Sequence, residues 1–116
     1  MFIQMRKITV AEGYADQVVE RFSQPGIVEQ QDGFVDMKIL VKKRRRGDDE
    51  VILLVTWESE EHWKKWEKSD AHIASHKARR NESKPEFILN VEVSHYEVKA
   101  VKNAVASSVR GDEWAF

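Results

Sequence analysis

Two histidines four residues apart, His72 and His76, follow closely on a pair of tryptophans, Trp63 and Trp66. At spacing i, i+4 the imidazoles share one face of a helix, the arrangement of a two-histidine metal site. A structural metal wants two further ligands; Glu67 and Asp70 are the local candidates, and no HExxH pattern is present. A haem iron asks less of the chain, because the macrocycle supplies four nitrogens and one axial imidazole suffices. Trp66 precedes His76 by ten residues, which in an unbroken helix sets them about 80° apart at ~100° per residue. A kink at Ser69-Asp70 would bring both to one pocket. Core packing for Trp66 and a surface position for His76 are the competing readings. His62, in the first turn of a helix beside Glu60 and Glu61, is expected to be exposed, and His95, with outward parity in a strand, to be solvated or packed.

Composition narrows the chemistry further. The 116 residues make one domain, 41% hydrophobic and 34% charged, the balance of a folded globular chain. There is no cysteine, which removes disulfides, thiolate zinc sites, iron–sulfur clusters and thiol nucleophiles together. Lys+Arg number 19 against Asp+Glu 20, a net charge of −1. Without a global basic field, neither nucleic acid nor an anionic membrane is an expected partner, and any anion site must be local. Polar residues interrupt the N-terminus too early for a signal peptide, and no apolar run approaches the roughly 20 residues of a membrane helix. A cytoplasmic protein is expected.

The elements that must position these residues read as β-α-β-β-α-β. Phe2 to Val10 alternates as a strand and turns at Ala11-Glu12-Gly13. Tyr14, Val18, Val19 and Phe22 recur at helical spacing until Pro25-Gly26 stops the helix. A polar stretch leads to a strand from Phe34 to Lys43, and the charged run Arg44-Arg45-Arg46-Gly47-Asp48-Asp49 reads as a solvated hairpin turn before the apolar strand Val51 to Trp57. Ser59 can cap the next helix, Ser69-Asp70 a second segment running towards Arg80, and Pro85 opens the last strand, Phe87 to Lys99. This is the split arrangement of an α+β, ferredoxin-like fold with an antiparallel sheet and helices on one face only. The third strand is apolar on both parities, with Val51, Leu53 and Val55 opposed by Ile52 and Leu54, and the fourth carries Phe87, Leu89, Val91 and Val93 against Ile88. No helix remains to cover the second face, so a homodimer packing sheet on sheet, a dimeric α+β barrel, is the economical solution. Residues 1–100 form the domain and 101–116 a tail whose Trp114 and Phe116 either dock or stay mobile.

Three segments carry a family resemblance: Val51-Ile52-Leu53-Leu54-Val55-Thr56-Trp57-Glu58-Ser59, then Trp66-Glu67-Lys68-Ser69-Asp70, then Ala74-Ser75-His76-Lys77. Together they resemble the IsdG-type haem-degrading monooxygenases of the antibiotic-biosynthesis-monooxygenase (ABM) superfamily of ferredoxin-like dimers. The likeness extends through Gly13, Glu20-Arg21-Phe22 and Gly33-Phe34. It implies a catalytic tryptophan at Trp66 and, at His76, the axial ligand of the haem iron. The family's third residue, an asparagine on the first strand, does not carry over: Arg6 stands in its place, between Met5 and Lys7. Arginine is longer, charged and donor-only, so Arg6 either supplies a distal donor, pairs with a propionate, or is an exposed strand residue.

The resemblance implies haem as substrate as well as cofactor, with O2 and electrons from an external reductase, since the chain has no flavin or nicotinamide fingerprint. Neutral His76 would hold the iron on one side. Trp66 would press on and buckle the macrocycle, a lever on haem reactivity. Phe22 would wall the pocket unless it is plain core, and Arg21, Lys77, Arg79 and Arg80 could receive propionates. An open-chain tetrapyrrole and free iron follow as products. The alternatives are an ABM oxygenase acting on an aromatic or quinol without haem, a non-degrading haem carrier or sensor, and a non-catalytic dimer. The fold by itself separates none of them.

Overall fold

The structure, a computed structural model, describes residues 1–43, 46–79 and 84–105, with only the backbone of 78 and 79. Arg44-Arg45, Arg80, Trp114 and Phe116 lie outside the described residues. The elements run β1 (Phe2–Val10), α1 (Ala15–Phe22), a 3-10 turn (Val28–Gln30), β2 (Phe34–Val41), β3 (Asp49–Trp57), α2 (Glu60–Glu67), α3 (Asp70–Arg79) and β4 (Ile88–Glu97). Strand β1 has the expected bounds; β2 and β4 stop two residues short of Lys43 and Lys99, and β3 starts at Asp49. The 3-10 turn falls where the helix stop at Pro25-Gly26 passes into the polar stretch before β2, and Gly26 donates its N–H to the Glu29 carboxylate at 2.9 Å.

The four strands form one sheet in the order β2-β3-β1-β4, and every neighbouring pair is antiparallel. That is the ferredoxin-like topology. Paired residues share a face, so the register divides the sheet cleanly. Phe2, Ile8 and Val10 of β1 stand on the face of Val51, Leu53 and Trp57 of β3. This face is the core: Ile8, Val10, Val51 and Leu53 pack with Ala15 and Val18 of α1, each 5% exposed or less.

Two polar anchors fix the helices to this face. Asp49, 2% exposed, accepts the N–H of Gly13 at 3.1 Å and of Ala15 at 3.3 Å, satisfying the open start of α1 from the neighbouring strand. Gly13 makes the turn possible at φ 91°, a conformation open to glycine at no steric cost. At the other end the turn before β2 touches α2 through Gly33, against which the His62 ring packs.

The opposite face carries Ile3, Met5, Leu40, Ile52, Leu54 and Tyr96 by register, with Leu40 42% and Tyr96 49% exposed. Both described helical layers lie on the other side. Strand β4 departs from the expected burial: Leu89, Val91 and Val93 are 40–47% exposed, because β4 is an edge strand that extends past the cover of the helices. Two histidines also depart in part from expectation. His95 pairs with Gln4, so its parity is inward and not outward, but it is both exposed and packed as expected, its ring 5.7 Å from Phe2 and 4.6 Å from Trp63. His62 is half-buried, its Nδ1 2.6 Å from the Ser59 hydroxyl and its Nε2 within 4 Å of Asp32 and Glu58. No helix among the described residues is long and apolar enough to cross a membrane.

Candidate active site

A cleft of about 250 Å³ opens between the helix-bearing face of the sheet, α1 and the junction of α2 with α3. Its floor comes from the strands: Gln4 and Arg6 of β1, Met37 of β2, and Leu53 and Val55 of β3. Arg6 pairs with Leu53 in the register, so its position on the cleft face follows from the same alternation that buries Ile8 and Val10. The last turn of α1 contributes Arg21 and Phe22, and the 3-10 turn Val28 and Glu29. Trp66, His72 and His76 line the helix side.

The helix side depends on one hydroxyl. Ser69 Oγ donates to the carbonyl of Trp66 at 2.7 Å and accepts the N–H of His72 at 3.1 Å. It thus closes α2 and caps α3, which is the kink that lets residues ten apart reach one cleft. Ser59 starts α2 in the same way, accepting the N–H of His62 at 3.2 Å. The Glu61 carboxyl beside it is held below the usual carboxylate value, first by a backbone N–H and then by the Ser59 hydroxyl, as expected at the positive end of a helix.

Three rings run in sequence across the kink. Trp66 lies 4.8 Å from His72, and His72 lies 4.4 Å from His76 at an interplanar angle of 78°. The His72 Nδ1 is 3.0 Å from the Glu67 carbonyl and 3.3 Å from its carboxylate. The two Nε2 atoms of His72 and His76 are 2.9 Å apart. Chemically this is an exposed imidazole, a half-buried indole and two guanidinium-bearing side chains around an apolar floor. Such a site suits a flat apolar ligand with anionic edges and an atom that takes one nitrogen donor.

Of the site residues read from the sequence, Trp66, His76, Arg6, Phe22 and Arg21 all line this cleft. The side chain of Arg79, like Arg80, lies outside the described residues, and Lys77 is exposed on α3. Among the described residues no cluster of three or more His, Cys, Asp or Glu side chains is placed to hold a bare metal ion. Gln4, Met37 and the 3-10 turn were not anticipated as lining. Gln4 shares the parity of Arg6, which was a usable signal; the turn offered none.

Comparison with known proteins supplies the remaining evidence. The family profile described as "Antibiotic biosynthesis monooxygenase" matches residues 1–78. The haem-degrading monooxygenase HmoA of Bacillus subtilis is 58% identical over 102 residues, 88% of this chain and 94% of that protein. A Bacillus cereus protein assigned to the antibiotic biosynthesis monooxygenases has a crystal structure that superposes with a TM-score of 0.78 at 47% identity, covering 89% of this chain and 97% of that one. The haem degrader MhuD of Mycobacterium tuberculosis, solved with two haems bound in its active site, shares the fold at a TM-score of 0.66 and 16% identity, over 89% of this chain and all of that one.

Proposed function

The chain belongs to the antibiotic biosynthesis monooxygenase family, and within it we propose that it is a haem-degrading monooxygenase, binding haem as its substrate and opening the porphyrin ring with release of iron. The extended likeness to the Bacillus subtilis haem-degrading monooxygenase carries this reading. The convergence of His76, Trp66 and Arg6 on one cleft supports it.

The residues suit the substrate. Leu53, Val55 and Met37 offer an apolar floor to a macrocycle, and Arg6 and Arg21 offer charge-assisted hydrogen bonds to carboxylates. When bound, haem supplies both the redox-active iron and the ring that is cleaved. His76 binds the iron through an imidazole nitrogen. Trp66, held by the Ser69 bridge, packs against the ring and sets its shape, where misplacement by about 1 Å costs rate steeply. Arg6, on the strand floor, directs N–H donors into the cleft; Arg21, at the end of α1, is better placed for an anionic edge. Electrons come from a separate reductase and oxygen from O2.

The unit that acts is residues 1–100, and its apolar second sheet face, with Ile3, Met5, Ile52 and Leu54, suits a second copy packed sheet on sheet into a dimeric α+β barrel. A cytoplasmic location fits the absence of cysteine. One observation favours a second reading, a carrier or sensor that binds haem without cleaving it: Arg6 replaces the asparagine expected on β1.

Haemin titration followed by reductant in air, with catalase present, tests the proposal. Saturation at one haem per chain, then Soret decay with iron release, is the expected result, and His76→Ala should show neither. A bound but stable Soret band would make the protein a carrier or sensor. Failure to bind would remove haem altogether.

A further inference from the structure

His72 has no part in the chemistry above, yet both of its ring nitrogens are engaged. Its side chain is 16% exposed, wedged between Trp66 and His76. The Nδ1 faces two oxygen acceptors of Glu67, the carbonyl at 3.0 Å and the carboxylate at 3.3 Å, so Nδ1 carries a hydrogen. In a neutral imidazole the other nitrogen is then bare and can only accept. The hydrogen on the 2.9 Å line between the rings therefore sits on His76 Nε2. If His72 is instead imidazolium, it donates into the lone pair of the same His76 nitrogen. In either state that nitrogen is committed to His72. Iron ligation through it requires a free lone pair.

We propose that His72 is a positioning residue for His76, a latch that ties up the Nε2 of His76 until haem enters and displaces it. The asymmetry of the pair supports this division of roles. His72 is fixed by Glu67 and by ring packing, whereas His76 is exposed on the cleft side of α3 and is held by His72 alone among the interactions described above. The latch keeps the ligating ring aimed into the cleft in the substrate-free protein, at the cost of one hydrogen bond broken on binding. The inference rests on the haem reading and adds to it a residue that lowers affinity while ordering the site.

The test uses the full chain and haemin, with stopped-flow and equilibrium Soret measurements on the wild type, His72→Phe and His76→Ala. Phenylalanine keeps a ring against Trp66 and removes both nitrogens. Release of one hydrogen bond should tighten haemin binding by about fivefold, with the histidine-ligated Soret band unchanged; His76→Ala should lose that band. Equal or weaker binding by folded His72→Phe overturns the latch. A wild type that binds no haemin instead overturns the haem reading, so the two failures are distinct. A second measurement needs no variant. Nitrogen-15 NMR of the substrate-free wild type should show scalar coupling across the N–H···N bond between the two Nε2 atoms, lost on adding gallium protoporphyrin. Absence of the coupling, or its persistence with the porphyrin bound, overturns the proposal.

Discussion

Gly33 and the His62 ring adjoin so tightly that no β-carbon fits between them: one built on Gly33 overlaps Cβ, Cγ and Cδ2 of His62. Gly33 also lies at φ 84°, and its carbonyl accepts the N–H of Glu58 at 2.7 Å. The turn into β2 is thereby locked to the first turn of α2, the helix that carries Trp66 in its last turn.

Gly33→Ala should therefore be costly twice over. The left-handed backbone costs a non-glycine residue about 1–2 kcal/mol, and the overlap adds roughly 1–3 kcal/mol of overpacking. Denaturant unfolding should show a loss of about 2–5 kcal/mol. In the double variant with His62→Ala the overlap with the ring atoms Cγ and Cδ2 is removed and only that with Cβ remains, so its loss should be smaller than the sum of the single losses. Additive losses would mean that the ring moves aside without strain.

Glu61 gives a prediction with a definite sign. Its carboxyl is held below the ordinary value by a backbone N–H and by Ser59, so the folded state binds the ionised form better than the unfolded chain does. The contribution is fully present above the unfolded pKa and is lost as pH falls through the folded one. The Tm of Glu61→Gln should lie slightly below that of the wild type at neutral pH and converge with it in acid. The difference should be small, because the group is fully exposed and screened.

The frame of the molecule was legible in the sequence because alternation and breakers are local signals. Phe2 to Val10, the stop after Phe22 and the kink at Ser69-Asp70 each depend on neighbours within a few residues. The cleft was legible in part for the same reason: once the kink is admitted, Trp66 and His76 must converge. The face of His95, though not its solvated and packed position, eluded the sequence because strand parity fixes a face only when the pairing register is known, and the partner Gln4 is far away in sequence. The exposure of Val91 and Val93 likewise depends on β4 being an edge, a property of the whole sheet. His72 was visible as half of an i, i+4 pair, but its tie to Glu67 arises from the end of α2, which the pattern does not encode.

Arg6 separates catalysis from binding. If its guanidinium acts as a donor within the cleft, Arg6→Ala should slow reductant-driven Soret decay by about a hundredfold, the order seen on removing a preorganised donor. Haemin affinity should change much less, because Arg21 remains to meet the carboxylates. The opposite split, weaker binding with the turnover of the bound complex unchanged, would assign Arg6 to a propionate. Arg6→Asn, which installs the residue expected on β1, should turn over at least as fast as the wild type.

Trp66 is the sharpest test of how the kink serves the reaction. The indole is half-buried and packs against the His72 ring at 4.8 Å, on a backbone that the Ser69 hydroxyl fixes at the Trp66 carbonyl. A side chain fixed in this way can hold a flat ligand out of plane, and that constraint acts on the rate more than on the affinity. Trp66→Phe keeps an aromatic wall of smaller reach and Trp66→Ala removes it. Haemin binding should weaken only modestly across the pair, while the rate of Soret decay should fall in steps, by up to about a hundredfold in the alanine variant. Resonance Raman spectra of the bound complexes should lose their out-of-plane deformation bands in the same order. A rate that tracks binding instead, with unchanged Raman bands, would reduce Trp66 to a pocket wall and place the source of ring distortion on the strand floor.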